Sequence, residues 1–349
     1  MRAAVTDWEA VAQRARRGRM IRGGALVAAL TVISVPIILP YVWMLLISLT
    51  ARTGGVEAAV LWRACAALAP VLAAWGAARA LFARRRGLVD LAALAAAAAA
   101  LWLAVGPALH LGNYRFLVTA NLVEDIRGQA TAGGQYPWVW EAFLSSLILA
   151  GGQTVLAVTV ATLAGYYLSR FAFAGRSAFL QGMLVLQAFP AMTLTIPLFL
   201  ISYWTGLLNT LSAPLLVLTA LELPFFIFIM KGFFDAVPWE IEMSALTDGA
   251  SRRQAFRMVV LPQVRAGMIA IGVFAFIRGW EEYVFVSVLR TGGGYWTMST
   301  YLYYVAEDVM GVDYGLVAAV AVFYLVPSLI LYLACQRHLT QMTLGGVKG

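Results

Sequence analysis

Charged residues are scarce in this chain, at 12% of its 349 residues, whereas a soluble domain carries about 25%. Hydrophobic residues make up 62% of the sequence, so a soluble globular protein is excluded. The formal net charge is nevertheless +8. Basic residues that flank membrane spans explain this excess better than a nucleic-acid partner does, because Lys and Arg concentrate on the cytoplasmic side of membrane proteins.

Cysteine and histidine are nearly absent. Cys65 and Cys335 lie far apart in apolar runs, and the two histidines are His110 and His338. These residues make neither a disulfide framework nor a metal motif. The sequence also lacks the G-x4-G-K-S/T pattern that cradles nucleotide phosphates, and its few acids form no catalytic cluster. We therefore expect no enzyme, no metal site and no cofactor bound by this chain.

Long apolar runs are what the sequence has in abundance. A helix of roughly 20 apolar residues crosses the ~30 Å hydrocarbon core of a bilayer, and about eight runs qualify. They predict an all-α polytopic membrane protein. Residues 1–22 do not resemble a cleavable signal, because the apolar run that follows them is too long. The predicted spans are 23–49, 58–82, 88–111, 139–168, 178–204, 211–234, 264–289 and 314–335.

The distribution of Lys and Arg predicts the orientation of these spans. With the N-terminus in the cytoplasm, 19 of the 25 basic residues fall on the cytoplasmic side, five fall outside, and Arg278 lies within a span. The opposite orientation would violate the positive-inside rule. Residues 1–22 and 338–349 are then cytoplasmic.

Two loops of the predicted external face, 112–138 and 290–313, contain aromatic and acidic residues. One interpretation is an aromatic belt at the membrane interface with solvated acids. The other is a landing surface for an external partner protein.

A polar stretch at residues 240–262, here called the elbow, interrupts the apolar pattern. Its first half predicts two helical turns, and Gly249 allows a sharp bend that a Cβ would resist. Ser251 and Gln254 have the spacing of a capping box, which predicts a second short helix that Pro262 closes. A membrane-surface helix on anionic lipid is one interpretation. The acid-rich first half and the bend favour docking of a protein.

The elbow resembles the cytoplasmic coupling loop of permease subunits of bacterial ABC importers. The pattern E-A-A-x3-G-x9-I-x-L-P appears as Met243-Ser244-Ala245, then Gly249, then Val259-Val260-Leu261-Pro262. Trp280-Glu281-Glu282-Tyr283 is similar to the W-N-E-F signature of the carbohydrate-uptake branch, the maltose-transporter MalG type. The resemblance covers about residues 139–349 and the first span.

This resemblance implies a six-helix permease core, made of the first span 23–49 and of residues 139–337, in the bacterial inner membrane. Residues 50–111 would form an extra hairpin. The chain would be half of a heterodimeric pore, completed by a sister permease, two ATP-binding subunits that hydrolyse ATP, and an external solute-binding protein. The implied cargo is a sugar, a disaccharide or oligosaccharide. The alternatives are a glycerol 3-phosphate or polyol permease and, from another class, a stand-alone secondary transporter.

Eleven residues of the elbow are assigned to ATPase coupling on this resemblance. Met243 stands where the family has its eponymous Glu, and Glu242 is the neighbouring acid, although on a helix it points about 100° away. The assigned residues are Glu240, Glu242, Met243, Ser244, Ala245, Asp248, Gly249, Ala250, Arg253, Phe256 and Pro262.

Polar residues within the spans are candidates for the translocation path, because charge at bilayer depth normally faces a cavity or a partner. Arg278 has the helical spacing for an ion pair with Glu281 or Glu282. The alternative is a structural pair that holds helices together, and for the aromatic candidate it is core packing. The assigned residues are Gln187, Glu222, Arg278, Trp280, Glu281 and Glu282.

Overall fold

The computed structural model describes residues 33–34, 36–50, 56–81, 86–119, 138–292, 295–307 and 313–345. Within these ranges the backbone is helical and contains no strand, with one isolated bridge between Thr50 and Leu109. The predicted all-α class is confirmed. Three regions lie at least partly outside the described residues, namely the predicted cytoplasmic segment 1–22, most of the predicted external loop 112–138 and the last residues of the predicted tail 338–349.

The helices of the described residues follow in chain order. They are α1 (Pro36–Ser48), α2 (Val56–Leu81), α3 (Arg86–Val105), α4 (Val139–Arg170), α5 (Arg176–Ala188), α6 (Thr195–Trp204), α7 (Ser212–Asp235), α8 (Trp239–Thr247), α9 (Arg252–Gln263), α10 (Arg265–Glu281), α11 (Val284–Leu289), α12 (Met298–Ala306) and α13 (Tyr314–Gly345).

Several of these helices have the length and hydropathy of membrane spans. Among the described residues four helices qualify by themselves, namely α3, α4, α7 and α13. The number rises to six if each of two bent helix pairs counts as one span. The chain is thus a multi-pass membrane protein, as the apolar runs predict.

The predicted span 178–204 is broken. Helices α5 and α6 meet at an angle of 91°, after a 3-10 turn over Ala191–Leu194. Pro190 accounts for the break, because a proline disfavours helical backbone at the residue before it. Phe189 accordingly has the extended backbone angles φ −77° and ψ 131°.

The predicted span 264–289 is also broken. Helix α10 ends at Glu281, Glu282 is extended, and α11 begins at Val284. At its other end α10 bends by 71° away from α9. The prediction that Pro262 closes the preceding helix is wrong by one residue, because α9 continues to Gln263. The last α-helical segment of α9 begins at Leu261, and a proline is tolerated in the first turn of such a segment.

The chain divides into two compact units, of which the first comprises residues 1–113 and 314–322. In this unit Val60, Ala64 and Val105 form a small buried core. Asp90 of α3 accepts a hydrogen bond from the Trp75 indole at 2.8 Å and pairs with Arg79 at 3.2 Å. These contacts hold α2 and α3 together near the short connection between them.

The second unit comprises residues 114–313 and 323–349. Its core lies where α4 packs against α7 and α10, and small residues let these backbones approach closely. Gly165 of α4 marks a close approach, since a Cβ at this position would lie 2.9 Å from the backbone nitrogen of Lys231 on α7. This unit contains the elbow and all the candidate path residues.

Candidate functional site

The bend of the elbow is built by local backbone chemistry. Gly249 has φ +90°, a conformation that residues with a Cβ rarely adopt. The Ala250 N–H donates to the Ala245 carbonyl at 3.0 Å, and the Gly249 N–H donates to the Leu246 carbonyl at 3.1 Å. This pair of bonds is a Schellman motif, which ends α8 and satisfies its last carbonyls. The predicted glycine bend is confirmed.

The second helix of the elbow begins with the predicted capping box. The Ser251 hydroxyl accepts from the Gln254 N–H, and the Gln254 side chain accepts from the Ser251 N–H at 2.8 Å. Residues Ala255–Val260 then form a π-helical turn rather than an α-helix. The wider turn keeps Val260 fully buried and places the Phe256 ring 4.5 Å from that of Tyr166 on α4.

Glu242 fastens the elbow to the membrane-spanning helix α4. Its carboxylate accepts a hydrogen bond from the Tyr166 hydroxyl at 2.6 Å, and Arg170 Nε lies 3.0 Å from its other oxygen. The second contact is an ion pair without the alignment of a hydrogen bond. Both charged side chains are buried, with exposures of 6% for Arg170 and 2% for Glu242. This residue triad (Tyr166, Arg170 and Glu242) is here called the anchor.

Arg170 extends the anchor to the start of α8. Its Nη2 donates to the Val237 carbonyl at 2.9 Å, and its guanidinium lies 5.4 Å from the centre of the Trp239 ring. The Arg170 guanidinium thus contacts the residue on each side of Pro238. The sequence assigns Glu242 to ATPase coupling as the acid next to Met243, and in the structure its carboxylate is buried in the anchor.

The outward surface of the elbow is polar and carries both signs of charge. Helix α8 exposes Glu240, Ser244 and Thr247 at helical spacing, next to Asp248 and Gly249. Met243, Ala245 and Ala250 are half-buried, while Pro262 is exposed. Met258, with an exposure of 73%, adds an apolar projection. The exposed residues of α9 that surround it are Arg252, Arg253, Gln254 and Arg257.

The charged path candidates meet between helices rather than along one helix. Arg278 of α10 donates from Nε to one oxygen of Glu222 on α7 at 3.0 Å, and its Nη2 lies 3.0 Å from the same oxygen. The intrahelical pairing of Arg278 with Glu281 or Glu282 is therefore not the one that forms. Gln187, near the end of α5, donates to the Leu221 carbonyl beside Glu222 at 2.9 Å. Arg278 remains 66% exposed, so this cluster lies on a surface of the chain.

Glu282 forms hydrogen bonds that stabilise the break between α10 and α11. Its carboxylate accepts from the Phe285 N–H at 2.8 Å and so caps α11, while its own carbonyl accepts from the Ser299 hydroxyl at 2.6 Å. Glu281, in contrast, is exposed. The two adjacent acids of the signature therefore differ, because one is bound to backbone and the other is open to a ligand or a partner.

Trp280 does not line a path. It is 1% exposed, its indole N–H donates to the Tyr324 carbonyl at 3.1 Å, and its ring stacks on those of Phe276 and Tyr324. A ring whose faces and N–H are already occupied cannot stack on a sugar. Core packing is the correct interpretation of this residue.

Tyr166 and Arg170 are the site residues that the sequence did not reveal as such. They precede Glu242 by 76 and 72 positions, and no short motif spans such a separation. Tyr166 and Arg170 are themselves spaced i, i+4, which places them on the same face of a helix, but this spacing does not identify Glu242 as their partner.

Comparison with known proteins identifies a matching family and relatives of this chain. The family profile described as "binding-protein-dependent transport system inner membrane component" matches residues 154–341. The diacetylchitobiose uptake system permease protein NgcG of Streptomyces coelicolor is 33% identical over 198 residues, which are 56% of this chain and 66% of that protein. The corresponding protein DasC of the same organism is 33% identical over 211 residues, 60% of this chain and 76% of its own length.

A solved structure shares the fold. It is the crystal structure of a bacterial ABC transporter involved in the import of the acidic polysaccharide alginate. One of its chains matches with a TM-score of 0.65 and 16% identity, over 92% of this chain and 97% of that chain. At this identity the likeness concerns the fold alone.

Proposed function

This chain belongs to the family of binding-protein-dependent transport system inner membrane components, and from that premise we propose that it forms half of the pore of an ATP-driven sugar importer. The remaining parts would be a sister permease, two ATP-binding subunits and an external solute-binding protein. ATP would be hydrolysed by the partner subunits, since this sequence contains no phosphate-binding loop motif. The elbow and both termini would face the cytoplasm.

The anchor is the observation that carries this proposal. A polar elbow attached loosely to the membrane domain could bind a partner without moving anything. Here Glu242 joins the elbow to α4 through two contacts, and α4 packs against α7 and α10. A displacement of the elbow by an ATPase would therefore be transmitted to three helices as one body, which is what rocking between inward- and outward-facing states requires.

A neutral sugar is the cargo that the charges favour. An anionic cargo such as glycerol 3-phosphate would need a basic lining. Arg278 is the one basic residue that the sequence places deep inside a span, and Glu222 already binds it. The two Streptomyces relatives are named for uptake of diacetylchitobiose, which supports a disaccharide or oligosaccharide over a polyol.

The substitution Gly249→Pro tests the coupling role. Proline fixes φ near −65° and lacks the N–H that bonds to Leu246, so the bend at φ +90° cannot form. We expect the variant to insert into the membrane at the wild-type level while ATP-dependent sugar uptake is lost. Gly182→Ala is the matched control, because Gly182 lies in a helix with open space around it. Uptake by Gly249→Pro at the wild-type rate would exclude the coupling role.

A further inference from the structure

A small aromatic pocket lies beyond the break at the end of α10. It has a volume of about 170 Å³, below the ~300–1,000 Å³ that is usual for pockets that hold a whole small molecule. It therefore has room for a single ring or a terminal group. The residues that line it include Tyr283, Ser287, Arg290, Trp296, Thr300 and Tyr303.

The rings of this pocket pack against one another in two pairs. The Tyr283 and Tyr303 rings lie 4.4 Å apart, and the Trp296 and Tyr304 rings lie 5.3 Å apart. Tyr303 also donates a hydrogen bond to Glu307. In an interfacial belt, aromatic side chains lie at the headgroup level of the bilayer. Here they line an open pocket whose other lining groups are hydroxyls and a guanidinium.

Arg290 supplies hydrogen-bond donors to the pocket. Its guanidinium lies 3.7 Å from the centre of the Trp296 ring, and its Nη1 donates to the Tyr295 carbonyl at 3.2 Å. Burial lowers the pKa of Arg290 from its usual value. Within the described part of the chain no carboxylate forms an ion pair with it. Because a guanidinium has five N–H donors, several remain for the oxygen atoms of a ligand.

The pocket and the elbow lie at opposite ends of the same helix. Helix α10 has 17 residues, which corresponds to a length of about 25 Å and to most of the ~30 Å hydrocarbon core of a bilayer. The elbow precedes α10, and the pocket residues follow it. If the elbow faces the cytoplasm, the pocket opens at the external side.

We propose that this pocket is an entry subsite that binds one ring of a neutral sugar after its release from the external solute-binding protein. This inference rests on the proposed importer function and adds a site to it. The C–H face of a sugar ring would pack on the face of the Trp296 ring opposite Arg290, as apolar surfaces do on aromatic rings. Its hydroxyls would accept from Arg290, while Ser287 and Thr300 would supply further hydroxyl contacts.

The experiment uses the complete transporter in proteoliposomes, with its sister permease, ATPase and solute-binding protein. Radiolabelled maltose, trehalose and diacetylchitobiose are the probes. Two quantities are measured, the number of sugar molecules imported per ATP hydrolysed and the KM for the loaded binding protein. For Trp296→Ala we expect the first to fall about three- to tenfold and the second to stay unchanged. Trp296→Phe keeps a ring and should retain import within about twofold.

Ser287→Leu provides an independent test, because it fills the cavity and leaves every ring in place. It should lower import per ATP as Trp296→Ala does. Trp62→Ala is the matched control, since Trp62 lies in α2 with an exposure of 70%. If a variant raises the KM for the loaded binding protein and leaves import per ATP unchanged, the pocket is a landing surface for the binding protein and not a sugar subsite. If the wild type imports sugar and all variants import it equally well, the subsite proposal is wrong and the proposed importer function stands. If the wild type imports none of the three sugars, both proposals fail.

Discussion

At the scale of single residues, burial distinguishes the three acids of the elbow. Glu240, Glu242 and Asp248 look alike in the sequence, where each is a carboxylate in a polar stretch. In the structure Glu240 and Asp248 are exposed, and Glu242 lies in the anchor. Glu242 is consequently not available to replace the Glu that the family has at the position of Met243. The exposed charges of the elbow are Glu240, Asp248 and the arginines of α9.

The substitution Glu242→Gln tests the anchor. Glutamine keeps the size of the side chain and an acceptor for Tyr166, but Arg170 is left as a buried cation without its counter-charge, a change that typically costs about 3–5 kcal/mol. We expect a lower midpoint of thermal unfolding in detergent and impaired ATP-coupled uptake. The control is Glu240→Gln on the same helix, for which a surface change within about 0.5 kcal/mol is expected.

The double variant Glu242→Gln with Arg170→Met separates charge from shape. With both charges removed, no buried cation remains without a partner, so the thermal midpoint should recover in part relative to Glu242→Gln alone. A double variant that is less stable than the single one would contradict the ion pair as the source of the stability.

At the scale of helices, the packing of α4 on α7 depends on glycine. The hydropathy of the sequence predicts that both are membrane spans, and both are. Which faces meet is not readable from hydropathy, because in a bilayer the lipid-facing and protein-facing sides are equally apolar. The bent spans show the same limit. The apolar runs identify 178–204 and 264–289 as membrane segments. They do not reveal the breaks at Pro190 and Glu282, which are seen in the backbone angles of the structure.

The substitution Gly165→Ala tests this contact. The added Cβ would lie 2.8 Å from the Met230 Cβ and 2.9 Å from the Lys231 backbone nitrogen, so the two helices must separate. Overpacking of this kind costs about 1–3 kcal/mol, and we expect a lower thermal midpoint. Gly151→Ala is the control in the same helix, where a Cβ meets nothing within 4 Å. There the higher helix propensity of alanine, up to about 1 kcal/mol, should leave stability equal or improved. Equal behaviour of the two variants would contradict the close approach.

At the scale of the whole molecule, the surfaces left open indicate a part of a larger assembly. The elbow presents mixed charges and Met258, and the Arg278–Glu222 pair lies on a surface although its residues belong to membrane helices. Charged groups at bilayer depth are costly when they face lipid. A cavity or a sister subunit beside this pair removes that cost, which is consistent with a heterodimeric pore.

Purification distinguishes an importer subunit from a stand-alone transporter. We expect the tagged chain, expressed in its native host and extracted in mild detergent, to bring a sister permease and an ATP-binding subunit with it. Reconstituted sugar uptake should require ATP and be indifferent to an ion gradient. Uptake by the purified chain alone, driven by a proton or sodium gradient, would establish the secondary transporter instead.

The sequence by itself determined the membrane class, the place of the elbow, its glycine bend and its capping box. Each of these depends on composition or on contacts between residues at most five positions apart, for which the backbone geometry is known in advance. Only the tertiary structure decided that Glu242 is buried against Arg170, that Arg278 pairs with Glu222 rather than with its own helix, and that Trp280 is core. These outcomes depend on the rotation and distance of packed helices, and residues 44 to 76 positions apart meet only once that packing is formed.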